Sequence, residues 1–173
     1  MSDAGIRIHV NGHPVTVPTA DADMSLAEFL HERLDLTGTK VCCGIGVCRA
    51  CTVGMRSSSE ALMEKTLACV TLVSAVANQY VFTVESLADG NQLSPLQQTF
   101  LESFAFQCGY CTPGFLMAAT AMLEHLKAYR IGADQLDAAI DMWVGGNLCR
   151  CTGYVKYREA IRKVAQLQMK HGG

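Results

Sequence analysis

The sequence predicts an α+β fold, a small mixed sheet followed only by helices, and three observations support this. Residues 6–17 alternate apolar and polar positions about Asn11-Gly12, a strong two-residue hairpin signal. Short runs rich in β-branched residues recur until about residue 85. After the turn-forming stretch Ala88-Asp89-Gly90-Asn91, the apolar residues repeat at helical spacing. The expected division is therefore residues 1–87 and residues 88–173, two units each able to bury a core.

Each element has its own signal. Ile6, Ile8 and Val10 make the first strand and Val15 and Val17 the second. Ser25 and Glu28 form a capping box ahead of Leu26, Phe29, Leu30 and Leu34, which share one face of a short helix ending before Gly38. Residues 53–55, 67–73 and 80–84 read as strands, with Ser57-Ser58-Ser59 as an exposed turn. Beyond the linker, Ser94, Pro95 and Gln97 open a helix over 95–106. A second helix is expected over 113–130. A third starts near Asp134, with Leu136, Ile140 and Trp143 on one face, and a fourth spans 154–169 with Ile161, Val164 and Leu167 inward. If the second and fourth helices pack together, as a four-helix bundle allows, the loops that open them meet at one end.

Cysteine placement carries the chemistry. From Cys43 the chain runs four residues to Cys48 and two to Cys51, with Cys69 further on, which is the plant-type ferredoxin arrangement for a [2Fe–2S] cluster. The preceding hairpin and short helix suit a ferredoxin-like β-grasp domain. Gly44 and Gly46 give a cluster-wrapping loop access to positive φ. In the helical half, Gln107-Cys108-Gly109-Tyr110-Cys111-Thr112-Pro113-Gly114-Phe115 is echoed by Asn147-Leu148-Cys149-Arg150-Cys151-Thr152-Gly153-Tyr154. Thr112 and Thr152 are candidate N-caps of the helices that follow. Two helix starts side by side would aim four thiols, backbone N–H groups and two positive dipole ends at one point, an environment for an anionic group such as an iron–sulfur cluster.

Composition narrows the alternatives. Nine cysteines, an odd number clustered in close pairs, argue for thiolate ligands in a reducing compartment rather than a disulfide framework. A net charge of −2 offers no basic footprint for nucleic acid, and no stretch approaches a membrane span. Charged residues are 17% of the chain, below the usual value of about 25%, as expected where surface is covered by larger partner subunits. The five histidines read as surface or satisfied side chains, and there is neither a dinucleotide fingerprint nor a phosphate loop. A helical approach to Cys108 does not suit thioredoxin-like chemistry. A stand-alone two-cluster ferredoxin and a zinc-stabilised interaction module stay open as alternatives.

Taken together, these motifs resemble the small iron–sulfur subunit of the molybdenum hydroxylases, the xanthine oxidase and aldehyde oxidoreductase family. The resemblance implies an oxidoreductase subunit with two [2Fe–2S] clusters, one per domain, and no catalytic or substrate-binding residue of its own. It implies Cys43, Cys48, Cys51 and Cys69 as ligands of the N-terminal cluster, and Cys108, Cys111, Cys149 and Cys151 as ligands of the C-terminal one. Gln107 and Cys151 would approach the molybdopterin-type cofactor of a large partner subunit, and electrons would leave through the ferredoxin-like cluster to an FAD or cytochrome c type acceptor subunit. Two residues depart from the family, Cys42 and Arg49, each where glycine is usual. Without an N-terminal apolar segment, assembly is expected in the cytoplasm, with export or membrane association left to a partner subunit.

Overall fold

The computed structural model describes residues 5–171. Strand β1 (Ile6–Val10) turns into β2 (His13–Val17) through Asn11 at φ 51° and Gly12 at φ 84°. Two successive left-handed residues are what a type I′ turn demands, so this dipeptide fits where most others would be strained. Helix α1 (Leu26–Glu32) opens on the expected capping box, with the Glu28 amide donating to Ser25 Oγ and the Ser25 amide to the Glu28 carboxylate. Strands β3 (Thr52–Arg56), β4 (Glu64–Leu67) and β5 (Tyr80–Phe82) complete a mixed sheet of order β2-β1-β5-β3-β4, in which only β1 and β5 run parallel. Ile8, Val17, Leu26, Leu30, Val53 and Val81 are fully buried between α1 and this sheet.

One expected strand is mostly absent. Residues 67–73 leave the sheet after Leu67, because the start of α1 takes up their carbonyls. The Leu26 amide donates to Thr71 O at 2.7 Å and the Ala27 amide to Ala68 O at 3.0 Å. Two unpaired donors of a helix N-terminus are thereby satisfied, and Cys69 is held in a turn.

The helical half contains α2 (Pro95–Glu102), α3 (Thr112–Ala128), α4 (Leu136–Val144) and α5 (Val155–His171). The capping box of Ser94 and Gln97 and Pro95 in the first turn are as expected, but α2 ends about a turn earlier than its apolar pattern suggests. Phe104 adopts φ 47°, and the Ala105 amide closes back on Phe100 O at 2.9 Å. Helix α5 packs on α2, α3 and α4, and α3 packs on α4. Its buried stripe is Tyr157, Ala160, Ile161, Val164 and Ala165. Leu167, expected inward, falls off the edge of that stripe and is 45% exposed.

Sheet and helices meet along β3, β4 and α3, where Met63, Met117 and Ala121 form a small apolar joint with Phe82. Glu124 of α3 accepts from Arg56 of β3 and from the Met63 amide, and Lys65 of β4 donates to Met142 O and Trp143 O at the end of α4. The Arg56 and Glu124 side chains are 24% and 28% exposed, so Glu124→Ala strands a shielded cation and an amide together. Hydrogen bonds to charged groups contribute about 1.5–3 kcal/mol each. The variant, which removes two such bonds, should therefore lose roughly 3 kcal/mol or more in denaturant unfolding, whereas Glu124→Gln, still able to accept, should lose less.

Candidate metal centres

The segment from Val41 to Ala50 has no room for regular structure, because it bends repeatedly: Gly44 is at φ 69°, Gly46 at 75° and Arg49 at 58°. Those reversals turn amides inward. The Cys48 N–H reaches Cys43 Sγ at 3.4 Å, and with the Ile45 and Val47 amides it pulls the Cys43 thiol down to about 6. Several N–H groups converging on one sulfur form an anion-binding nest. Cys48 and Cys51 are buried, Cys43 and Cys69 half-buried, and Cys42 is exposed. Burial pushes the Cys48 thiol up and Cys51 up to about 12, with Cys69 facing Cys51.

The second group stands at the end of the helical half where α3 begins. Cys111 precedes the first residue of α3, and Cys108 lies one turn earlier. Cys151 Sγ is 3.6 Å from Cys108 Sγ, and Cys111 and Cys149 are likewise paired. Burial pushes Cys111 up to about 11. Burial also acts upward on Cys149, but the Thr152 hydroxyl, 3.1 Å away, and the Thr152 and Cys151 amides outweigh it and leave that thiol below its ordinary value. Contact with Cys108 raises Cys151.

Neither threonine serves as the expected N-cap. Thr112 is already inside α3, and its hydroxyl meets Tyr157 Oη at 2.9 Å. The Thr152 hydroxyl donates to Cys149 Sγ and accepts from the Tyr154 amide, spanning the Gly153 turn ahead of α5. Gln107, Cys108 and Cys151 are all exposed, so one edge of the second thiol group opens outward.

The two groups are stitched together by residues whose roles the sequence does not announce. The Leu148 amide donates to Cys48 O at 3.0 Å, which leaves one hydrogen bond and one residue between Cys48 and Cys149. Asn147, 1% exposed, donates to Arg49 O at 3.0 Å. Tyr110 Oη donates to Val41 O at 2.6 Å. The guanidinium of Arg49 lies against Gly146, and Gly114 of α3 lies against the carbonyls of Arg49 and Ala50. Asn147, Tyr110 and Gly114 all stand inside the cysteine motifs, yet nothing in a single chain tells a cross-domain contact from a local one.

The donor set suits a two-iron cluster at each group. Among the described residues no three His, Cys, Asp or Glu side chains converge on one ion. The sulfurs instead meet in twos, Cys43 with Cys48, Cys51 with Cys69, Cys108 with Cys151 and Cys111 with Cys149. Two thiolates for each of two irons is the Cys₄ requirement of a [2Fe–2S] cluster, whereas one tetrahedral zinc needs all four together. Cys51 and Cys111, which burial keeps protonated, would ionise on meeting a metal.

Residues 8–74 match the 2Fe-2S iron-sulfur cluster binding domain family, and residues 83–162 the [2Fe-2S] binding domain family. The small subunit of nicotine 6-hydroxylase from Paenarthrobacter nicotinovorans is 41% identical over 90% of this chain and 86% of its own length. The nicotinate dehydrogenase small FeS subunit of Eubacterium barkeri is 35% identical over 94% and 95%. The chain is also 38% identical to aldehyde oxidase 2 of Rattus norvegicus, but spans 12% of that protein. Among solved structures, a chain of quinoline 2-oxidoreductase from Pseudomonas putida superposes with a TM-score of 0.79 at 34% identity, covering 97% of this chain and 96% of that one. With relatives matched over nearly their whole length at these identities, the chain belongs to the small [2Fe–2S] subunits of the molybdenum hydroxylase family.

Proposed function

We propose that the chain relays electrons between a large molybdopterin-binding subunit and an acceptor subunit of FAD or cytochrome c type, and that it holds no substrate site. The observation that carries this reading is the arrangement of eight cysteines as four sulfur pairs in two groups joined through Leu148 and Cys48. Relatives named as small subunits of dehydrogenases and hydroxylases support the assignment to a larger complex. In this reading residues 1–87 carry one cluster and residues 88–173, a four-helix bundle, the other. Cys43, Cys48, Cys51 and Cys69 hold the first, and Cys108, Cys111, Cys149 and Cys151 the second. Bound [2Fe–2S] clusters supply one-electron acceptance and donation.

The remaining work belongs to the protein. The exposed edge at Gln107, Cys108 and Cys151 is the side offered to the large subunit, with Gln107 and Cys151 nearest its pterin. Buried Cys48, Cys51 and Cys149 keep water from the path between the groups. Ile45 and Val47, 71% and 59% exposed beside Cys43, present an apolar rim for the acceptor side. Assembly is read as cytoplasmic, and no helix among the described residues is long and apolar enough to cross a membrane.

Two measurements test this. The purified chain should contain about four irons and four acid-labile sulfides, and tagged chain should co-purify with a large molybdenum-containing subunit. Zinc in place of iron, or a chain always recovered alone, defeats the reading. Arg49 provides a finer check. A cation beside a cluster favours its reduced, more negative state. With its guanidinium against Gly146, Arg49 stands where the two groups meet, and Arg49→Gly, compatible with the φ of 58°, should make a cluster midpoint more negative in a redox titration while iron content stays the same.

A further inference from the structure

Tyr157 sits in the first turn of α5, 1% exposed, its ring stacked on Phe115 at 4.2 Å and tilted against Phe100 at 5.4 Å. Packing accounts for the ring. It does not account for the hydroxyl, which a phenylalanine would spare the core the cost of burying. That hydroxyl has two neighbours, Cys111 Sγ at 3.4 Å and Thr112 Oγ1 at 2.9 Å. A metal-bound thiolate carries no proton and only accepts. The single phenolic proton is then directed at the sulfur, and the Thr112 hydroxyl can donate to Tyr157 Oη in turn.

We propose that Tyr157 is a positioning residue that sets the reduction potential of the C-terminal cluster by donating a hydrogen bond to Cys111 Sγ. The inference rests on Cys111 being a cluster ligand. Reduction adds negative charge that is shared with the ligand sulfurs, so a donor on sulfur stabilises the reduced form more than the oxidised one. The bond lies in a buried, low-dielectric setting, where it counts for more than at the surface. The other ligands of this group receive different donors: the Thr152 hydroxyl serves Cys149, and Cys108 and Cys151 lie exposed against each other. The phenol therefore acts on the inner edge of the group, on the side of the helical core.

Tyr157→Phe removes the proton donor and keeps the ring. Redox titration of the holoprotein, followed by paramagnetic resonance, should show the C-terminal cluster shifted to lower potential. The expected size is about tenfold in the reduced-to-oxidised ratio at a fixed poise, roughly 59 mV for a one-electron couple. The N-terminal cluster's midpoint should not move, and the iron content should match that of the unaltered chain. Tyr157→Leu, which also lacks the donor, should shift the same midpoint in the same direction. Unchanged midpoints in a fully loaded variant overturn the proposal. So does loss of the C-terminal cluster from both variants, since tyrosine would then be needed for folding and not for potential. Failure of the unaltered chain to bind two [2Fe–2S] clusters refutes instead the assignment of Cys111 as a ligand, and the two failures are told apart by the iron count.

Discussion

Cys43→Ser should remove one cluster, cutting iron from about four atoms per chain to about two, while Cys42→Ser keeps the full content. The two residues are adjacent and chemically identical, so only their surroundings separate them. The Cys48, Ile45 and Val47 amides gather on Cys43 Sγ and favour its thiolate, the form that binds metal. Cys42, by contrast, is exposed. Serine retains the shape of cysteine but is a poor ligand for iron, so the loss reports ligation and not packing. Iron and labile-sulfide analysis on anaerobically purified variants gives the answer directly, and circular dichroism checks that α2 to α5 persist. Iron loss in the Cys42 variant with retention in the Cys43 variant would show the ligand register to be shifted by one residue.

Legibility from sequence differed by kind of interaction. The Asn11-Gly12 turn and both capping boxes, whose contacts lie within four residues, have the geometry their residues imply. The cysteine spacing likewise announced two groups, because ligation requires several donors on a short stretch. Two expectations failed because a distant element competed. Residues 67–73 have strand composition, but the opening turn of α1 takes the carbonyls of Ala68 and Thr71. Thr112 looks like a cap, yet Tyr157, 45 residues away, is its partner. The seam between the cysteine groups was invisible for the same reason, since Leu148 to Cys48 and Asn147 to Arg49 join residues about a hundred positions apart.

That seam is the basis of the second large effect: Gly114→Val should destabilise the chain and loosen the joint between the two cysteine groups. Gly114 has an ordinary helical place in the first turn of α3, so its glycine is not there for backbone freedom. It is there for proximity. A Cβ at this position would stand 2.5 Å from Arg49 O and 2.9 Å from Ala50 O. Both obstacles are backbone, and the loop that carries them also carries Cys48 and Cys51, so neither can swing aside as a side-chain tip would. Overpacking of this kind costs about 1–3 kcal/mol, and each kcal/mol is worth roughly 2–4 °C in a chain of this size. A fall in Tm of about 2–12 °C is expected, with Gly114→Ala at the smaller end. If helix and loop separate to admit the new atoms, the hydrogen bonds of Leu148 to Cys48 O and of Asn147 to Arg49 O stretch with them. The eight cysteines proposed as ligands keep their local surroundings, so both clusters should still form. What should weaken is the magnetic interaction between the two reduced clusters, which falls steeply with separation and is read from the splitting of their paramagnetic resonance signals. A valine variant that melts like the unaltered chain and shows the same splitting would mean that the start of α3 does not hold the two groups at their distance.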